Sequence, residues 1–141
     1  MHNLAELYLR EGKYSEAVTL SQRVVNLRQK ALGVNHPEVA SSLNNLAQAY
    51  SNQALYAKAE PLYLQAIDIV EKTLGPEHPD LATYMNNLAE LYLAEKQYAK
   101  AKPLFEKALL ISTQSLGPRH PTVLAIQQNL KQCKRKNILG F

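Results

Sequence analysis

The sequence predicts an all-α protein, an array of about seven antiparallel helices stacked as repeated two-helix units. Three observations support this fold class. A period of 42 residues places His36-Pro37, His78-Pro79 and His120-Pro121 at equal steps. Inside each period, apolar residues recur every three or four positions, as on one face of an α-helix. Proline and glycine stand at fixed places between these stretches. Arrays of this kind usually bind other macromolecules on a continuous face.

The first unit, residues 1–33, is incomplete. Residues 1–11 match only the later part of the first helix of a unit, termed helix A. A turn at Gly12 is expected to follow, and then the second helix, termed helix B. Because the chain begins part-way through a helix A, we expect it to be a fragment cut from a longer array.

The second unit, residues 34–75, contains both helices. Pro37 opens helix A, since the first helical turn tolerates a residue without an N–H group. Apolar spacing predicts helix A over about 37–52 and helix B over about 55–73. Gly75 is expected to end helix B as a left-handed residue. The apolar stripe of helix A consists of Val39, Leu43, Leu46, Ala47 and Tyr50.

The third unit, residues 76–117, repeats this pattern, with helices predicted over 79–94 and 97–115. Its helix B contains Pro103, and the helix B before it contains Pro61. Proline inside a helix removes a hydrogen bond and strains the backbone. We therefore expect a kink or an irregular first turn at both places.

Pro121 opens a last helix A, and no helix B follows it. Residues 118–136 are expected to form a terminal capping helix with a polar outer face, as the end of an array requires. The whole of 1–136 is assigned to a single array, and residues 137–141 to a C-terminal tail.

Small and aromatic residues recur on the helix faces predicted to be buried. Alanine lets two helices approach closely, and tyrosine fills the wider gaps with its hydroxyl near water. The alanine columns are Ala5/Ala47/Ala89, Ala17/Ala59/Ala101 and Ala66/Ala108, and the tyrosine columns are Tyr8/Tyr50/Tyr92 and Tyr14/Tyr56/Tyr98. We interpret both sets as core packing.

Composition indicates an ordinary globular chain, 46% hydrophobic and 20% charged. No apolar run approaches the ~20 residues of a membrane span, and the N-terminus lacks the basic and apolar segments of a signal peptide. Cys133 is the only cysteine, which fits a reducing compartment. We predict a cytoplasmic protein without membrane contact. On its polar helix the thiol is expected to be exposed, with a pKa that Lys134 and Arg135 could lower.

The net charge of +4 comes from one end of the chain. Four cations, Lys131, Lys134, Arg135 and Lys136, equal the whole excess, so the repeats themselves are balanced. This strip is either a solvated helix face or a docking patch for an acidic partner or nucleic acid. Nucleic-acid binders interleave aromatic residues with their basic ones. No aromatic residue lies between Phe105 and Phe141, so we do not predict nucleic-acid binding.

No chemistry is predicted for this chain. His36, His78 and His120 stand in successive units stacked about 8–10 Å apart, too far to share one zinc ion that needs ligands at ~2 Å. We interpret them as connector residues that cap helix A or bond within their own loop. The sequence contains no phosphate-binding glycine loop and no nucleophile motif. We predict no catalytic residue, no metal and no cofactor.

The repeats resemble tetratricopeptide repeats, and more closely the 42-residue subtype of kinesin light chains and many bacterial proteins. The motifs that carry the resemblance are Leu43-Asn44-Asn45-Leu46-Ala47-x-x-Tyr50, Tyr56-x-x-Ala59-Glu60-Pro61-Leu62-Tyr63 and Leu74-Gly75-Pro76-Glu77-His78-Pro79. The resemblance implies a right-handed superhelix whose A helices line a concave groove for peptides or partner domains. It does not imply motor transport, because no heptad coiled coil is visible. The turn between helices A and B keeps its glycine only at Gly12. Ala54 and Lys96 replace it elsewhere, so that turn need not adopt a glycine-only conformation there.

The resemblance also implies which residues of helix A face the groove. They are Asn3, Asn45, Asn87 and Asn129 in one column, Asn44, Asn86 and Gln128 in the preceding column, and Gln48 and Glu90 one turn further along. Asparagine offers two donors and an acceptor, so it can pair with the backbone of an extended peptide. Alternatively, these amides bond to neighbouring helices and brace the superhelix. The two roles are compatible.

The groove is predicted to favour a neutral or basic ligand. Some tetratricopeptide proteins clamp a C-terminal carboxylate with lysine or arginine, but the corresponding places here hold Ser41, Thr83, Ala125 and asparagine. Glu6 and Glu90 add negative charge instead.

Two functions remain. The first is a scaffold that binds a peptide or partner protein, and the second is self-association through the exposed ends of the array. The incomplete first unit, which leaves Leu4, Leu7 and Tyr8 without their usual cover, makes a homo-oligomer a reasonable alternative.

Overall fold

A computed structural model describes the backbone of residues 3–138 and the side chains of residues 13–137. Within that part of the chain there are six α-helices and no strand, which confirms the all-α prediction. The helices are α1 (Asn3–Leu32), α2 (Pro37–Asn52), α3 (Tyr56–Thr73), α4 (Pro79–Ala94), α5 (Tyr98–Leu116) and α6 (Pro121–Ile138). They form two compact structural units, which differ from the three sequence repeats. We term residues 1–69 unit 1 and residues 70–141 unit 2.

The expected count of about seven helices was wrong, because helices A and B of the first repeat are one continuous helix, α1. Its backbone passes through Gly12 without the expected turn. A segment of about ten residues is marginal as a separate helix in water, since nucleation is costly. Continuing the helix satisfies the backbone hydrogen bonds at Gly12 without a new start.

The boundaries of α2 to α5 agree with the predictions to within one residue. Helix α6 begins at Pro121 as predicted and ends at Ile138, two residues beyond the predicted end at 136. Three histidines fix the starts of α2, α4 and α6 by side-chain capping. The Nδ1 atoms of His36, His78 and His120 accept the backbone N–H two residues ahead at 3.0, 3.1 and 3.1 Å. Each histidine thus satisfies a helix N–H that has no partner inside the helix. The predicted capping role of these connector residues is confirmed.

The turns after α2 and α4 correct one expectation. Ala54 and Lys96 adopt the left-handed conformation, with φ of 61° and 63°. The N–H of Leu55 bonds to the carbonyl of Tyr50 at 3.0 Å, and the N–H of Gln97 bonds to that of Tyr92 at 2.8 Å. This six-to-one closure of a helix end requires positive φ at its penultimate residue. The turn geometry is therefore kept although the glycine is not.

Unit 1 is built on the packing of α1 against α2. Val25 of α1 is 3% exposed, and α2 buries Val39, Leu43 and Leu46. Lys58 at the start of α3 lies over the ring of Tyr50, 5.7 Å from its centroid, which gives a cation–π contact. The tyrosine of this column therefore has a packing role.

Unit 2 is formed by α4, α5 and α6, and α5 packs against both of the others. Phe105 is fully buried and is the largest enclosed side chain among the described residues. Most of the alanine columns are buried as predicted, but Ala17 of α1 is only half-buried. Ala47, Ala59, Ala66, Ala89, Ala101 and Ala108 are all 0% exposed.

Two other expectations concern proline and cysteine. Helices α3 and α5 run through Pro61 and Pro103 without a break, and a bend there stays a prediction. Cys133 is 0% exposed, so the expected exposed thiol was wrong. It continues an apolar stripe of α6 at helical spacing that faces α5. The other members of the stripe are Val123, Ile126 and Leu130.

No helix within residues 3–138 combines the length and the apolar character needed to cross a bilayer.

Candidate functional site

The polar surface of unit 2 centres on Glu90 of α4. One of its carboxylate oxygens accepts a hydrogen bond from the amide nitrogen of Asn129 on α6 at 3.0 Å. The same oxygen accepts from the amide nitrogen of Asn86, one turn earlier on α4, at 3.3 Å. Three residues that the sequence predicted for the groove therefore meet at one point. The contact of Asn129 with Glu90 joins two A helices, which is the bracing role that the sequence left open.

Glu90 also fixes the orientation of the Asn86 amide. An ionised carboxylate only accepts hydrogen bonds, so the nitrogen of Asn86 must face it and the oxygen must point away. That oxygen, Oδ1, is buried and has no hydrogen-bond partner within the described residues. A buried acceptor without a partner is costly and marks a place where a donor would be favourable.

A pocket of about 290 Å³ lies beside Asn86, between α4, α5 and α6. Its wall includes Asp80, Thr83 and Asn86 from α4, Ser112 and Ser115 from α5, and Thr122 from α6. The residues of α5 were not predicted, because only residues of the A helices were assigned to the groove. One feature of the sequence could have indicated them: Ser112 stands where the first repeat has Arg28, two periods earlier.

The surface of unit 1 carries its own predicted residues. Asn45 is exposed and lines a hollow of about 120 Å³ between α1 and α2. Gln48 is exposed one turn further along α2. Asn44 is only 7% exposed, so its burial removes it from the surface that a ligand could reach directly.

The remaining predicted residues lie in different surroundings. Asn87 is half-buried on α4 and already takes part in an interaction. Gln128 is exposed on α6, where it borders a hollow of about 440 Å³ with Lys131, Gln132, Arg135 and Lys136. The basic strip is therefore a surface of the terminal helix, next to one end of the predicted groove column. The side chain of Asn3 lies outside the described residues.

Cys133 has no reactive environment. Burial raises the pKa of its thiol, the nearby ammonium of Lys102 lowers it by less, and the carboxylate of Glu106 raises it further. The expected lowering by Lys134 and Arg135 was wrong, since both lie on the exposed face of α6. The Sγ atom lies 3.5 Å from the carbonyl oxygen of Tyr98. The residue therefore belongs to the α5–α6 contact.

Comparison with known proteins gives a consistent result. A family model described as the tetratricopeptide repeat matches residues 1–72, 52–109 and 83–137. Among solved structures, the chain is similar to a Podosopora anserina protein with nearly identical TPR-like repeats of the kinesin light chain type, at 34% identity and a TM-score of 0.83 over 96% of this chain. It is also similar to BtubC (BKLC) from P. vanneervenii, at 26% identity and a TM-score of 0.81 over 95% of this chain.

The chain spans only 64% and 54% of the length of those two structures. In sequence, it is 44% identical over 44 residues to a nucleotide-binding leucine-rich repeat (NLR)-like protein of Hyaloscypha variabilis. That match covers 31% of this chain and 4% of the fungal protein. These similarities concern the repeats alone.

Proposed function

This chain belongs to the tetratricopeptide repeat family, and we propose that it is a non-catalytic scaffold that binds an extended peptide or partner-protein segment along its A helices. Domains of this family typically act as protein–protein interaction modules. The proposal is supported above all by the Asn86–Glu90–Asn129 cluster of unit 2. Its amides lie on the two A helices of that unit and are held by one carboxylate.

A cluster of this kind suits a ligand whose backbone is the feature recognised. The amide nitrogens of Asn86 and Asn129 are oriented by Glu90, so their rotamers are fixed before a ligand arrives. Fixed side chains lose less entropy on binding than mobile ones. Asn45 and Gln48 of unit 1 and Gln128 of unit 2 add exposed amides, each able to donate and accept. Bracing and ligand binding then use different atoms of the same side chains.

The test is a selection of peptides of about twelve residues from a phage-displayed random library, followed by calorimetry with the tightest binder. Replacing Asn86 and Asn129 together by alanine should weaken binding about tenfold or more, because each lost hydrogen bond contributes on the order of 1 kcal/mol. Asn52→Ala, an exposed asparagine at the end of α2, is the matched control and should leave affinity unchanged. Unaltered affinity in the double variant would refute the proposed surface.

A second function, self-association, is favoured by the exposed apolar face of α1. Leu20, Val24 and Leu27 are 59%, 39% and 66% exposed. In the repeat register Val24 corresponds to Ala66 and Ala108, and Leu27 to Ile69 and Ile111. All four counterparts are at most 3% exposed. A face that is covered in the later repeats is thus uncovered in the first, and burying it between two copies would be favourable.

Light scattering at two protein concentrations separates the two functions. A mass that doubles with concentration, and returns to the monomer value in Leu27→Glu, indicates association through α1. A chain that is monomeric at both concentrations and still binds the selected peptides supports the scaffold function and contradicts self-association.

A further inference from the structure

Unit 1 contains an arginine that fastens α1 to α2. The Nη1 atom of Arg28 donates to the backbone carbonyl of Glu38 at 2.9 Å and to the hydroxyl of Ser42 at 2.7 Å. The hydroxyl of Ser42 in turn donates to the same carbonyl at 2.9 Å. A guanidinium therefore occupies the place where a helix B meets the first turns of the next helix A.

The repeat register identifies the equivalent place in unit 2. Two periods further along, Arg28 becomes Ser112, Glu38 becomes Thr122 and Ser42 becomes Ile126. These three residues all line the 290 Å³ pocket between α4, α5 and α6. The pocket thus borders the place that the arginine side chain fills in unit 1. Ser112 and Ile126 are only 2% and 1% exposed at its base, and Ile126 offers no hydroxyl in place of that of Ser42.

Several polar groups of the pocket wall can act toward a ligand as hydrogen-bond acceptors. The hydroxyl of Ser112 donates its proton to the carbonyl of Ala108 at 2.6 Å, and that of Ser115 donates to Ile111 at 2.9 Å. Each hydroxyl has only one proton, so toward a further group it can act only as an acceptor. Asp80 adds a carboxylate at the rim, and the buried Oδ1 of Asn86 adds an acceptor beneath the wall.

The charge around the pocket also favours a cation. The N-terminal ends of α4 and α6 carry partial positive charge, but their Asp80 and Thr122 N–H groups are already bonded to histidine at 3.1 Å. The C-terminal end of α5 carries partial negative charge, and Asp80 carries a full one. Among the side chains that the structure describes, no lysine, arginine or histidine lines the pocket, so the balance is negative.

We propose that this pocket binds the guanidinium group of an arginine side chain in the partner peptide, as Arg28 is bound inside unit 1. This inference rests on the proposed peptide-binding function and adds a specificity to it. The amides of Asn86 and Asn129 hold the peptide backbone, and the pocket selects one basic side chain. Guanidinium suits the site because its planar fork of five donors matches several converging acceptors.

The probe is N-acetyl-arginine amide, added to the isotope-labelled full chain and followed by backbone NMR shifts. N-acetyl-citrulline amide has nearly the same shape but no charge, and inorganic phosphate tests whether the helix N-termini bind an anion instead. The arginine compound should shift Ser112, Ser115 and Thr122 saturably, and citrulline should bind about tenfold more weakly, since charge-assisted hydrogen bonds are roughly twice as strong as neutral ones. Equal binding of the two compounds, or saturable binding of phosphate at these residues, would overturn the proposal.

Three variants complete the test. Ser112→Arg supplies the guanidinium from within the chain and should abolish binding of the probe. Gln114→Arg adds the same charge at an exposed position of α5 outside the pocket and should retain it. Asp80→Asn should weaken binding of the probe about threefold or more. If Ser112→Arg does not fold, this variant alone tests whether the probe binds in the pocket. Retained binding in Ser112→Arg, or unchanged binding in Asp80→Asn, contradicts the pocket.

The selected peptides separate this inference from the proposed function. Peptides whose affinity falls about tenfold when arginine is replaced by citrulline support both. Peptides that bind through Asn86 and Asn129 without any dependence on arginine overturn the pocket alone. Absence of any selected peptide overturns the proposed function, whatever the small probe does.

Discussion

The burial of Cys133 gives the sharpest test of how α6 packs on α5. The thiol is 0% exposed and lies in a stripe with Val123, Ile126 and Leu130. A reagent can reach it only after the end of α6 separates from α5, which exposes at least Cys133 and Leu130. Exposing a buried aliphatic side chain costs about 1.5–3 kcal/mol. The conformational entropy that the end of α6 regains on opening offsets part of the cost of exposing Cys133 and Leu130. The free energy of opening should therefore be about 3 kcal/mol.

Labelling with Ellman's reagent measures this opening, because the chain has one thiol. With an opening cost of about 3 kcal/mol, labelling in buffer should be roughly 100-fold slower than in denaturant. Replacing the thiol by alanine should lower the free energy of unfolding by about 1 kcal/mol, similar to deletion of a buried methyl group. At an exposed position the same change would have an effect within about 0.5 kcal/mol.

The pH dependence has a definite sign. Burial raises the pKa of the Cys133 thiol above its ordinary value of 9.0. Below that value both the folded and the unfolded chain keep the proton, and the contribution to stability is complete. As pH rises above it, the unfolded chain loses the proton first, so the free energy of unfolding decreases until the folded thiol also ionises. Cys133→Ala should lack this decrease.

The matched control places a thiol one residue away. Gln132 is exposed, so Gln132→Cys in the Cys133→Ala background should react at the rate of an unfolded chain. Labelling of native Cys133 at that same rate would refute the packing of α6 against α5.

Three further predictions concern stability. Phe105→Ala should cost about 3–5 kcal/mol in urea unfolding, since the ring is fully enclosed, whereas Glu106→Ala beside it, at an exposed position, should change stability by less than about 0.5 kcal/mol. His78→Ala should lower the melting temperature through loss of a cap of about 1 kcal/mol, and His78→Asn should restore most of it. Lys96→Gly should raise stability by about 0.5–1 kcal/mol, because left-handed backbone strains any residue with a Cβ atom. Glu95→Gly, at a negative φ of −84°, should lower it.

The regular part of the fold could be predicted because local chemistry determines it. Proline opens α2, α4 and α6 wherever histidine precedes it, and each histidine accepts an N–H of the first turn. These contacts span two residues, so the sequence alone contains all that is needed. The alanine columns are similar, since a small residue that recurs at helical spacing marks a face where a neighbouring helix approaches closely.

Three features could not be predicted because each depends on neighbours in space. Gly12 permits a turn but does not require one, and α1 continues through it. Cys133 follows polar residues in sequence, yet the position of α5 decides that its side chain is covered. The amide of Asn86 is oriented by Glu90, which in turn receives Asn129 from another helix. That convergence depends on how α4 and α6 lie together.

A repeat protein offers its own internal comparison, and the differences between repeats are more informative than the similarities. The tyrosine and histidine columns and the alanine column of Ala17, Ala59 and Ala101 are constant because every repeat must fold. The column of Arg28, Val70 and Ser112 has no constant residue, so the fold itself does not require one chemistry there. In unit 1 a charged side chain joins two helices at this place, and in unit 2 a serine lines a pocket. If folding alone determined the residue at this position, an apolar residue such as Val70 would suffice in every repeat. Ser112 is itself only 2% exposed, with its hydroxyl bonded to the carbonyl of Ala108. The proposed ligand would therefore explain the small residue through the volume above it, which is what the Ser112→Arg variant tests.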